Sequence, residues 1–201
     1  MSGIGRREIL GGAGLLLAAP AVSWAAGKPR VVMTTSLGVI TLELDSGKAP
    51  LTSANFLRYV QAAKYDGGSF FRAARTKGAP KTGTIVAAPA PRQQPFPPIA
   101  HESTAKTGLK HLDGTVSLGR FSPGTARGSF FICVGAQPYL DAKPAGSGDT
   151  LGFAAFGKVV GGMAVVRKIL AAKTNPNVGH VDQKGQWLDP PVAITSARLK
   201  A

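Results

Sequence analysis

The sequence predicts a mainly β fold, a β-barrel or an α+β domain, with two amphipathic helices set among the strands. Three observations carry that reading. Short segments of β-branched and alternating residues recur along the chain. Only two stretches repeat their apolar positions at helical spacing. Glycine and proline, 26 and 15 among 201 residues, punctuate the rest with turns.

Taken in order, Arg30-Val31-Val32-Met33-Thr34-Thr35 reads as a strand, Ser36-Leu37-Gly38 as a turn, and Val39 to Leu44 as the return strand of a hairpin. Pro50 opens a helix, because its fixed φ suits the first helical position, and Leu51, Ala54, Phe56, Leu57 and Val60 follow at three- and four-residue spacing. Tyr65-Asp66-Gly67-Gly68 is a turn cluster, and Ser69 to Ala74 reads as a strand. Prolines at 80, 89, 91, 95, 97 and 98 disfavour regular structure, so residues 75–111 are expected to form a long surface excursion. Patterning resumes at Gly114 to Gly119, continues through the apolar run Ser129 to Val134, and returns at Phe153 to Val160. Met163, Val166, Arg167, Ile169 and Leu170 describe the second helix, and the alternating tail Val192 to Leu199 could close a sheet beside the first strand.

The first residues belong to an address signal and are set aside from the fold. Gly5-Arg6-Arg7-Glu8 precedes an apolar stretch from Leu10 to Val22 and the small-residue end Ser23-Trp24-Ala25-Ala26. The paired arginines followed by Ile9-Leu10 look like a twin-arginine signal, which carries folded proteins out of a bacterial cytoplasm. The apolar stretch is short of the roughly 20 residues of a membrane span. We therefore expect a signal peptide over residues 1–26, one domain over 27–201, and a periplasmic or otherwise exported protein.

Charge and cysteine usage narrow the function classes. The formal net charge is +14, and losing Arg6, Arg7 and Glu8 with the leader lowers it by only one. The Lys and Arg residues are dispersed without aromatic interleaving, so no specific nucleic-acid partner is expected. Weak adhesion to anionic envelope polymers is the partner that simple electrostatics offers. A lone cysteine, Cys133, excludes an intramolecular disulfide and a cysteine-based zinc cluster, and its apolar strand context predicts a buried, inert thiol. His101, Glu102, His111 and Asp113 fit no helical zinc spacing, so neither metal nor cofactor is expected.

The order of the motifs carries a resemblance. Ala49-Pro50-Leu51-Thr52-Ser53-Ala54-Asn55-Phe56-Leu57, then Tyr65-Asp66-Gly67 and Phe70-Phe71-Arg72, is similar to the first half of a cyclophilin. Gly114-Thr115-Val116-Ser117-Leu118, Ser129-Phe130-Phe131-Ile132, Tyr139-Leu140-Asp141, Phe156-Gly157-Lys158-Val159 and Gly162-Met163 are similar to the second half. The resemblance spans residues 30–200. It implies a closed eight-stranded antiparallel β-barrel capped by two helices, peptidyl-prolyl cis–trans isomerase activity, and proline-containing polypeptides as substrates of a monomer.

The resemblance also implies site residues. Arg72 matches the catalytic arginine. Phe131 matches the apolar floor for the proline ring, Leu140 and Phe153 its walls, and Tyr139 its rim aromatic. Phe71 stands where the family often has histidine. The family's Phe-Met-x-Gln-Gly-Gly run is missing, and the nearest match, Ile85-Val86-Ala87-Ala88-Pro89, puts Ala87 in place of the substrate-binding glutamine. Ser129 replaces a second glutamine, and Gly119-Arg120 an alanine–asparagine pair. Fewer side-chain hydrogen bonds to substrate imply a weakened isomerase; the alternative is a proline-peptide-binding or chaperone protein with little turnover.

Overall fold

In the computed structural model, which describes residues 28–143, 145–146 and 149–200, the opening hairpin forms as predicted: β1 (Arg30–Thr35) returns as β2 (Gly38–Leu44). The expected leader, residues 1–26, lies outside the described residues. Helix α1 (Pro50–Gln61) starts at its proline and buries Phe56, Leu57 and Val60. Two strands follow, β3 (Ser69–Thr76) and β4 (Ala79–Ala88), then a single helical turn, α2 (Thr104–Thr107). The remaining elements are β5 (Thr115–Leu118), β6 (Phe130–Val134), β7 (Ala154–Gly161), α3 (Met163–Ala171), the two-residue β8 (Thr174–Asn175) and β9 (Trp187–Leu199).

All the pairings are antiparallel, in the order β1-β2-β7-β5-β6-β4-β3-β9, and a further β1–β9 pairing closes these eight strands into a barrel, with β8 attached outside on β9. Closure leaves no free edge in the ring. Inside, Phe56 meets Tyr65, Phe130 and Phe156 at centroid distances of 5.2, 5.3 and 5.2 Å. Helix α1 packs against β7 and β9, and α3 against β2, β3, β4 and β6. Among the described residues no helix is long and apolar enough to cross a membrane.

The expected excursion over 75–111 is corrected in its first part. β4 occupies residues 79–88 and pairs with both β3 and β6. Pro80 is tolerated because the ladder to β3 jumps from Ala79 to Gly83, so its missing N–H costs no ladder bond. The second part is a surface segment, but one fastened to α1 and the turn that follows it. Phe96 packs edge-on against Tyr59 at 4.9 Å, Arg58 donates to the Pro97 carbonyl at 2.7 Å, and Lys64 donates to that of Gln94 at 2.8 Å. Two expected helices become three because α2, one turn capped by the Ser103 hydroxyl, is too short to leave a periodic signal.

Both long helices are finished by distant side chains. The Glu102 carboxylate accepts from the backbone N–H groups of Leu51 and Thr52 in the first turn of α1 and from the Thr52 hydroxyl, at 3.2, 2.6 and 2.6 Å. At the other helix, Arg75 donates to the Leu170 and Ala172 carbonyls at the end of α3, at 2.8 and 2.5 Å. Each charge has the sign that complements the helix dipole.

Candidate active site

A β-bulge places the arginine. Phe70 pairs with Ala87, but Arg72 pairs with Val86, so Phe71 is the extra residue of β3. The bulge turns Arg72 to the outer face of the barrel, where Val86 lies opposite it. Val86 is in turn opposite Phe131 of β6, and Phe131 is opposite Ser117 of β5. One row of residues across four strands thus carries the guanidinium to the edge of an apolar pocket.

That pocket gathers Phe131, Leu140, Cys133, Val86 and Phe153 into one cluster, separate from the barrel core. Phe153 stands edge-on to Phe131 at 5.3 Å and 87°. The two walls are tied by a 3.0 Å hydrogen bond from the Phe153 N–H to the Leu140 carbonyl. Gly152 makes this close approach feasible, since at φ +62° a Cβ there would lie 2.6 Å from the Leu140 oxygen. Tyr139, in the short 3-10 turn Pro138–Leu140, is 59% exposed at the rim.

Arg72 is half-buried, its Nε is buried without a partner, and no hydrogen bond to its side chain occurs among the described residues. Burial pulls its guanidinium below the usual arginine value, with the Tyr139 phenol opposing; it nevertheless stays charged, as arginine does. Burial likewise raises the Tyr139 phenol, Arg72 opposing. The X–Pro bond sits behind a barrier of about 18–20 kcal/mol because rotation breaks amide resonance. A free donor aimed at the prolyl nitrogen favours its pyramidal, lone-pair-bearing state, and a dry pocket favours the less polar twisted amide. The arrangement can therefore lower that barrier without nucleophile, proton transfer or metal.

Of the expected site residues, Arg72, Phe131, Leu140 and Phe153 come together with Tyr139 at their rim. Phe71 packs on Trp187 instead, ring centroids 5.1 Å apart. Ser129 lies one residue before β6, half-buried, its carbonyl accepting from the Gly119 N–H at 2.8 Å. Ala87 is corrected: it is fully buried in the barrel core, opposite Phe130. The bulge at Phe71 sets this register, and the positions of β4 on the site face are Thr84, Val86 and Ala88. Val86 and Ala88 carry no hydrogen-bonding side chain, and Thr84, opposite Cys133, is buried. Arg120 is spent elsewhere. It grips Asp149 through both oxygens at 2.5 and 3.0 Å, donates to the Gly152 carbonyl, and lies over the Phe153 ring at 5.2 Å.

A buried support behind the floor escaped the sequence reading. His111 stacks on Phe131 at 5.8 Å and 17°. Its Nδ1 lies 2.7 Å from Asp141 and its Nε2 2.9 Å from the Ser117 hydroxyl. Serine, histidine and aspartate in this order are the parts of a nucleophilic triad, but Ser117 is fully buried and reaches no substrate. Burial lowers the His111 pKa, the Asp141 hydrogen bond opposing, which keeps the ring neutral as the back wall of Phe131. Cys133 is buried, and burial pushes its thiol up to about 12. The residues weighed as a metal cluster are dispersed: His101 sits against the Leu151 carbonyl, Glu102 on α1, His111 on Ser117, and Asp113 with Arg167. A separate cavity of about 290 Å³, lined by Lys28, Glu43, Lys110 and Lys158 among others, contains none of the site residues.

Comparison with known proteins agrees with this fold. A family model described as cyclophilin type peptidyl-prolyl cis-trans isomerase matches residues 30–199. The peptidyl-prolyl cis-trans isomerase A of Dickeya dadantii is 38% identical over 173 residues, 84% of this chain and 83% of that protein. A peptidyl-prolyl cis-trans isomerase of Acinetobacter baylyi is 35% identical over 193 residues, 94% of this chain and 92% of its own length. Among solved structures, a cyclophilin type isomerase of Cryptosporidium parvum superposes with a TM-score of 0.66 at 16% identity, over 87% of this chain and 98% of that one. A second structure of that protein, solved in the presence of the dipeptide Ala-Pro, gives 0.65 at 17% identity, over 86% and 99% of the two chains. Matched from its first strand to its last, the chain belongs to the cyclophilin-type peptidyl-prolyl cis–trans isomerases and is an enzyme of that class.

Proposed function

We propose that this protein is an exported prolyl isomerase that turns X–Pro bonds in extracytoplasmic polypeptides at a reduced rate and so assists their folding. The observation that carries the reading is Arg72, a half-buried cation with no protein acceptor among the described residues, beside a pocket walled by Phe131, Leu140 and Phe153. The reduced rate follows from the rest of the site. Val86 and Ala88 offer no side-chain hydrogen bond, and Arg120 is engaged by Asp149. Each missing bond to the substrate backbone is worth about 0.5–1.5 kcal/mol. Export rests on the Arg6-Arg7 leader. The +14 charge supports loose association of a monomer with anionic envelope polymers.

The test is a chymotrypsin-coupled isomerisation assay on an X–Pro tetrapeptide, comparing the protein with Arg72→Ala. By analogy with removal of one oxyanion donor, the variant should lose about 10²–10³ in rate. If the well-folded protein leaves the spontaneous relaxation of roughly tens to hundreds of seconds unchanged, the enzyme reading falls. The proline-peptide binder would then be the better reading, and a binding titration on the same preparation would measure it.

A further inference from the structure

We propose that Phe71 and Trp187 form a second, aromatic subsite beside Arg72, and that it selects X–Pro segments with an aromatic residue flanking the proline. The proposal deepens the isomerase reading and rests on it. The pocket for the proline ring lies on one side of Arg72, over β4 and β6. On its other side is β9, where Trp187 is the direct cross-strand partner of Arg72. The bulge that turns Arg72 outward also lays Phe71 against that indole, ring centroids 5.1 Å apart and tilted by 35°. Arg72 therefore stands between two apolar platforms.

Phe71 and Trp187 are each only half-buried, so each keeps surface for a ligand, although the indole Nε1 edge itself is buried. The segment before Trp187 holds the platform in place. The Gln186 carbonyl accepts from the Ala73 N–H at 2.8 Å, and Gly179 comes so near the indole that a Cβ there would lie 2.7 Å from Nε1. A polypeptide whose proline sits on Phe131 and whose prolyl nitrogen faces Arg72 must carry one flanking residue toward β9. Two aromatic faces at that place reward an aromatic side chain and offer a glycine nothing.

The experiment uses the full chain with Trp24→Phe, which leaves Trp187 as the sole tryptophan. Two series of blocked peptides, Ala-X-Pro-Ala with X varied and Ala-Ala-Pro-Y with Y varied, compare glycine, leucine and phenylalanine by NMR exchange, which needs no protease. At one of the two flanks, phenylalanine should be favoured over glycine by about 3- to 10-fold in kcat/KM, mainly through KM. The phenylalanine peptide should also shift Trp187 emission. The preference should fall to near unity in Phe71→His and Trp187→Leu and survive in Phe71→Tyr, a ratio that a general loss of folding would not move.

Turnover of all peptides with no aromatic preference at either flank overturns the proposal. A preference untouched by Phe71→His and Trp187→Leu overturns it as well. If no peptide is turned over, the isomerase reading fails instead. The emission titration then decides the subsite alone: tighter binding of the phenylalanine peptide upholds it, and equal binding removes it.

Discussion

Replacing Glu102 by glutamine should cost this protein far more than one hydrogen bond on a surface segment would suggest. The carboxylate is 5% exposed. It satisfies two of the orphan N–H groups of α1 and the Thr52 hydroxyl, at 3.2, 2.6 and 2.6 Å. Glutamine keeps one acceptor oxygen and turns an N–H₂ group toward donors. Losing one hydrogen bond to a charged group costs about 1.5–3 kcal/mol, and losing the negative charge at a partly buried helix start removes up to about 2 kcal/mol more. We expect a total of about 2–4 kcal/mol. For a domain of this size, roughly 2–4 °C per kcal/mol gives a fall in Tm of about 4–16 °C. Urea unfolding at constant m-value, followed by circular dichroism, measures the loss. Thr52→Val removes only the hydroxyl and should cost less. A Glu102→Gln protein within about 0.5 kcal/mol of the parent, the range of ordinary surface substitutions, would refute the claim that this residue holds α1 in place.

The mirror-image cap should behave alike: Arg75→Met strips two carbonyls at the end of α3 of their donors and should cost about 1–2 kcal/mol, read from the same urea curves. His111 sets a pH dependence. Because burial depresses its folded pKa, the unfolded chain holds the extra proton. The stability it contributes is complete above the unfolded value of about 6.5 and is lost as pH falls from there toward the folded one. Urea midpoints between pH 8 and 5 should decline more steeply for the parent than for His111→Gln, and superimposed slopes would contradict the neutral buried imidazole. Cys133, its thiol pushed up to about 12 by burial, should resist Ellman's reagent in the native state and react once urea unfolds the chain.

What the sequence made legible was whatever is written locally. The first hairpin, the proline-opened α1 and the apolar β6 stand where their patterns put them. β4 was hidden because its reason for existing is non-local. A strand beginning with Ala79-Pro80 is held only by β3 on one side and β6 on the other. The caps escaped for the same reason, Glu102 reaching 50 residues back and Arg75 reaching 95 residues forward. At the site, Arg72, Phe131, Leu140 and Phe153 were legible through motif order. The facing of Ala87 was not, because a one-residue bulge at Phe71 decides which side of β4 looks outward. Ser117, His111 and Asp141 come together only once β5 and the turn after Leu140 are folded.

The seam of the barrel has a consequence in time. Val31 pairs with Leu199, and the Lys200 N–H donates to the Arg30 carbonyl at 2.7 Å. The first strand of the barrel thus waits for the last, so a nascent chain cannot close the ring until β9 has left the ribosome. Joining such distant segments also means a slow search. Since the two ends of the domain meet at this seam, a short linker between them and new termini cut at the exposed Lys77-Gly78 tip would give a permuted chain with the same ring and a different order of assembly.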